Sequence, residues 1–83
     1  MTKTPHLILN PTLICQDDLL TVKNAEGTFQ NTGYVIKNES GSIIRKGSIS
    51  NNLFGFQMRI IGLKVGFYQF IMGDQQEVFQ VVQ

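Results

Sequence analysis

Apolar residues in this chain recur with a period of two and almost nowhere with a period of 3.6. Phe56, Met58 and Ile60 alternate with Gln57 and Arg59, and Val78, Gln80 and Val82 alternate with Phe79, Val81 and Gln83. No window keeps helical spacing behind a capping residue, so the chain is expected to build strands. Its 83 residues fit one domain, 1–83. A domain of that size buries only about 60–65% of the surface its unfolded chain exposes, so the core has to be simple and continuous.

Turn formers divide the strands. His6 to Leu9 reads as a first strand, stopped by Asn10-Pro11, because proline cannot donate to a ladder. Thr12 to Gln16 reads either as a connecting loop or as a short edge strand. After Asp17-Asp18 comes Leu19 to Lys23, with Leu20 and Val22 on one face. Asn24 to Gly33 is rich in turn residues and has room for one weak strand at Thr28 to Gln30. Tyr34 to Asn38 and Ile43 to Ile49 form a hairpin over Glu39 to Ser42, with Gly41 suited to positive φ. Strands follow at Phe54 to Ile61, Phe67 to Met72 and Glu77 to Gln83. Strands at intervals of roughly 8–12 residues predict an all-β, immunoglobulin-like β-sandwich of about seven antiparallel strands.

Leu63-x-x-Gly66-x-Tyr68 strengthens that expectation. It has the spacing of a tyrosine corner, in which an aromatic near a strand's start hydrogen-bonds back to upstream backbone. Gly66 supplies the backbone freedom, Leu63 plugs the end of the core, and Tyr68 buries its ring while its hydroxyl finds a partner. Alternation then sends Tyr34, Ile36, Ile44, Met58, Ile60, Tyr68, Phe70 and Met72 to one core, with Leu20 and Val22 joining from the other sheet. Lys37, Arg45, Gln57, Arg59 and Gln69 belong on outer faces.

Composition argues against several functions. Seven basic and six acidic residues give a net charge of +1, and only Arg45-Lys46 are adjacent, so no electrostatic footprint for nucleic acid is present. Charged residues make up 16% of the chain, below the roughly 25% usual for soluble domains. Cys15 is the one cysteine, so no internal disulfide can form, and His6 has no second soft ligand near it for zinc. The six carboxylates fall almost entirely in turns. With no convergent acid, base or nucleophile and no Gly-rich phosphate cradle, neither an enzyme, a cofactor nor a small-molecule substrate is expected. Asn38-Glu39-Ser40 has N-glycosylation spacing, a three-residue match of low specificity. No apolar run reaches membrane-spanning length, and Met1 to His6 opens no signal peptide.

The order of the motifs carries further information. Asn10-Pro11-Thr12 is followed by Tyr34-x-Ile36-x-Asn38-x-x-Gly41-x-Ile43-Ile44. Met58-x-Ile60-x-x-Leu63-x-x-Gly66-Phe67-Tyr68 comes next, and a short strand closes the sequence. This order resembles the C-terminal sorting domains of proteins exported by the type IX (Por) secretion system of Bacteroidetes. The resemblance spans about residues 8–83 and implies a seven-stranded immunoglobulin-like sandwich that acts as an address. It implies an N-terminal cargo domain, absent here, and the secretion translocon and sortase as protein partners. It also implies export through the periplasm to the cell surface or medium; with Met1 as a true start, a cytoplasmic life is expected instead. Gln80 and Gln83 stand where family members often carry Lys.

Under this resemblance Asn10, Pro11, Asn38, Gly41, Leu63, Gly66 and Tyr68 form the structural motif. Val78, Phe79, Gln80, Val81, Val82 and Gln83 are the candidate partner-binding residues, on a terminal strand expected at or near a sheet edge. The alternative is an orphan immunoglobulin-like module for protein interaction or adhesion. Both readings require β structure. Far-UV circular dichroism is therefore expected to show a β spectrum, and substantial helix would contradict the strand assignment.

Overall fold

The computed structural model of the chain describes residues 7–25, 33–49 and 55–83. Eight strands stand among them: β1 (Leu7–Asn10), β2 (Leu13–Cys15), β3 (Leu19–Asn24), β4 (Gly33–Lys37), β5 (Ile43–Ser48), β6 (Gly55–Arg59), β7 (Gly66–Met72) and β8 (Gln75–Val82). They form two sheets, ordered β1-β3-β6 and β2-β8-β7-β4-β5. Every pairing is antiparallel except that of β2 with β8. The protein is all-β, as expected. The segment Thr12 to Gln16, open between loop and strand, contains β2. The weak strand at Thr28 to Gln30 lies outside the described residues, as does His6.

One core lies between the sheets. Leu7, Leu9, Leu20 and Val22 enter it from the three-stranded side, and Ile14, Ile36, Phe70, Met72, Phe79 and Val81 from the five-stranded side. No polar residue is buried among the described residues, so apolar burial at about 25 cal/mol per Å² is the principal stabilising term. The aromatic rings bind the layers together. Tyr34 stacks on Phe70 at 5.2 Å, and Phe56 tilts against both from the facing sheet, at 5.9 and 6.3 Å. Tyr34 also covers Gly47, its cross-strand partner; a Cβ there would sit 2.8 Å from the phenol oxygen. Glycine at this position gives the ring its seat.

Three expectations need correction. Ile44 was assigned to the core and is instead 38% exposed. Ile36 pairs with Arg45 and Lys37 with Ile43, so Ile44 is the extra residue of a bulge with no partner of its own. The same register removes Arg45 from the outer face expected for it, and its side chain is half-buried. As the partner of buried Ile36, Arg45 takes a core-facing position on the edge strand β5. Its guanidinium crosses to the other sheet and donates to the Arg59 and Ile61 carbonyls at 3.1 and 3.0 Å. An inward-turned charge of this kind also discourages another chain from pairing along the edge. In addition, Met58 and Ile60 share a sheet or its extension with Leu20 and Val22, through the β3–β6 ladder, rather than with Tyr34.

The bulge separates two neighbouring isoleucine environments. Ile36→Ala should cost about 2–5 kcal/mol through lost burial and a cavity, whereas Ile44→Ala should cost no more than about 1 kcal/mol. Urea titration of both variants measures the difference.

Candidate interaction surface

The terminal strand does not lie at a free edge along its whole length. β2 pairs in parallel with Gln80 to Val82, and β7 covers the opposite side of β8. β1 ends at Asn10, after which the chain crosses from one sheet to the other and continues as β2. The crossover closes the end of β8 that was expected to be open. The six candidate partner-binding residues consequently divide. Phe79 and Val81 are 1% and 0% exposed and belong to the core. Val78 is 52% exposed, Gln80 and Val82 are half-buried, and Gln83 is exposed.

Sheet register extends the accessible face beyond β8. Leu13, Gln80 and Phe67 form one row across β2, β8 and β7, because each pairs with the next. Leu13 and Phe67 are 59% and 51% exposed. Val78 and Gln69 form the adjacent row. Beside Phe67 and Val78 a shallow depression is walled by Asn38 to Gly41. Scattered exposed apolar residues are ordinary, but Leu13, Phe67 and Val78 are gathered on one sheet face around the last strand. Sequence alternation identified Val78 alone; Leu13 and Phe67 join it only through strand order.

The motif residues hold this face in place. Asn38 Oδ1 accepts from the Ser40 and Ser42 amides, both at 3.0 Å, which closes the β4–β5 loop. Gly41 has φ +85°, as its place in the hairpin predicted. Glu39 Oε1 then accepts from the Phe67 amide at 2.9 Å, joining the loop to the start of β7. A Cβ on Gly66 would come within 2.9 Å of that oxygen, and its φ of +155° disfavours a side chain as well. Tyr68 is buried, and its hydroxyl donates to the Lys64 carbonyl at 2.6 Å, within the span that the spacing predicted. Leu63 is 8% exposed, and its carbonyl accepts from Gln16 Nε2 at 3.1 Å. The bonds from Glu39 and Gln16 had no signal in local sequence, because their partners lie 28 and 47 residues away.

Among the described residues no group of three or more His, Cys, Asp or Glu side chains stands together as a metal site. Cys15 is exposed on β2. Among the described residues no helix is long and apolar enough to cross a membrane. The sequence matches no protein-family model and no curated protein.

The tyrosine bond and the ring can be measured separately. Tyr68→Phe should cost on the order of 1 kcal/mol and keep the fold. Tyr68→Ala, which also removes the stack on Phe79 at 5.6 Å, should cost about 3–5 kcal/mol. Denaturant unfolding of the two variants gives both values.

Proposed function

We propose that this chain is a non-catalytic, immunoglobulin-like sorting domain, an address read by protein partners. The observation that carries the reading is the apolar face of Leu13, Phe67 and Val78, assembled around the terminal strand. Strand connectivity supports the immunoglobulin-like fold. The first strand splits between the sheets, β3 pairs with β6 across one layer and β4 with β7 across the other, and the tyrosine corner precedes β7. The motif order supports the type IX resemblance, in which the translocon recognises the domain and a sortase removes it from a cargo placed ahead of it. Leu13 and Phe67 then form part of the recognised surface, while Phe79 and Val81 serve recognition only by holding the strand in place.

That division dictates the test. Removing Val78 to Gln83 would extract Phe79 and Val81 from the core and unfold the domain, so surface substitutions are the better tool. A reporter carrying a signal peptide is placed ahead of residues 1–83 in a host with the secretion system. The intact domain should bring the reporter to the cell surface or medium. Leu13→Ser with Phe67→Ser should leave it in the periplasm, while the purified double variant unfolds within about 1 kcal/mol of the parent. Retention of the reporter behind the intact domain would overturn the sorting reading in favour of a general protein-interaction module.

A further inference from the structure

We infer that the first half of β8, Gln75 to Phe79, accepts an extended segment of another protein as an added strand, with a basic residue of that segment beside Glu77. This deepens the sorting reading by giving its protein contact a backbone geometry. The hydrogen-bond phase of β8 carries the inference. Gln80 N–H donates to the Thr12 carbonyl at 2.7 Å, and the Val82 carbonyl accepts from Gln16 N–H at 2.9 Å. Both residues therefore turn their backbone groups toward β2. In an antiparallel ladder that direction alternates residue by residue, so Glu77, Phe79 and Val81 turn theirs toward β7. Gln76 and Val78 turn theirs back to the β2 side.

β2 does not reach them. Its pairing begins at Leu13 opposite Gln80, and among the described residues no other strand pairs with β8 on that side. Two amides and two carbonyls, those of Gln76 and Val78, thus stand in line with β2 and without a ladder partner. Gln76, Glu77 and Val78 are exposed, and β1 packs near β8 without pairing with it. The chain's own crossover into β2 passes through Pro11 and Thr12, and proline has no N–H to continue the ladder. The unfilled positions suit strand addition, in which backbone bonds supply affinity and side-chain neighbours supply choice.

Charge selects the occupant. Asp74 and Glu77 lie along this stretch, and neither β2 nor β8 carries a Lys or Arg. A second copy pairing antiparallel on residues 75–79 would set Glu77 opposite Glu77, an unfavourable like-charge pair. A partner segment with Lys or Arg between apolar residues meets Glu77 with its cation and Val78 with its apolar neighbours.

The probe is a capped synthetic peptide, Thr-Val-Lys-Val-Thr, titrated to millimolar concentration into the isotope-labelled full chain and followed by amide NMR. In the free protein, the Gln76 and Val78 amides should exchange with solvent faster than those of Glu77, Phe79 and Gln80. Added peptide should shift and protect those two amides. Glu77→Lys should weaken binding on the order of tenfold and prefer the peptide with Glu in place of Lys. Val78→Pro removes an outward amide without removing a bond to β7, and should abolish binding while the Glu77, Phe79 and Val81 amides stay protected. Gln76 and Val78 amides that exchange as slowly as Glu77 in the free chain would overturn the inference. So would peptide binding that is absent, or indifferent to both substitutions; if the proline variant unfolds, the Glu77 charge exchange decides alone. Binding without reporter export rejects the sorting reading only, and export without amide protection rejects strand addition only.

Discussion

The bond from the Tyr68 hydroxyl to the Lys64 carbonyl fixes the point where the chain leaves one sheet and begins the central strand of the other. A connection of that length has many conformations, and choosing one costs roughly 1–2 kcal/mol of backbone entropy per residue. Several anchors share the cost. Tyr68 holds Lys64, Gln16 holds the Leu63 carbonyl, and Arg45 holds the carbonyls of Arg59 and Ile61. Asp17 and Asp18 exchange backbone hydrogen bonds with Ile60 at 3.0 and 2.8 Å. The corner is thus a meeting place for three separated parts of the chain. Once β7 is set there, β4 and β8 pair on its two sides and the five-stranded layer follows.

The proposed function rests on the same arrangement. Rows of side chains can present a surface only when neighbouring strands keep register, and register is fixed by what each strand buries. Ile14, Val81 and Phe79 point inward, which obliges Leu13, Gln80 and Val78 to point outward. Accessible apolar residues on β8 are therefore the complement of its core residues. Changing either set without disturbing the other requires respecting the two-residue period.

Much of this was legible in the sequence. Alternation in β7 named Tyr68, Phe70 and Met72 as inward-facing, and the Leu63–Gly66–Tyr68 spacing anticipated the hydroxyl's partner. The rest depended on pairing between distant segments. β2 has three residues and pairs with β8 far along the chain, Leu13 opposite Gln80, so local sequence left Thr12 to Gln16 open between a loop and a short edge strand. Ile43-Ile44 offered two adjacent apolar residues, and only the bulge decides which has a partner. Arg45 looked like an ordinary surface cation because a sequence shows charge and not direction. The terminal strand's partial enclosure was likewise invisible until β2 was placed beside it.

The long reach from β2 to β8 also bears on the order in which the domain is made. β8 supplies Phe79 and Val81 to the core and stands between β2 and β7. During synthesis, neither β2 nor the inner face of β7 can complete its surroundings until residues 75–82 have been added. Earlier segments have only the smaller β1–β3–β6 sheet and the β4–β5–β7 pairings to form, with apolar surface still facing water. Closure of this domain consequently waits for β8 and is governed by long-range contacts that form slowly. An unfinished chain would have to remain open, or be held open, until its last strand arrives.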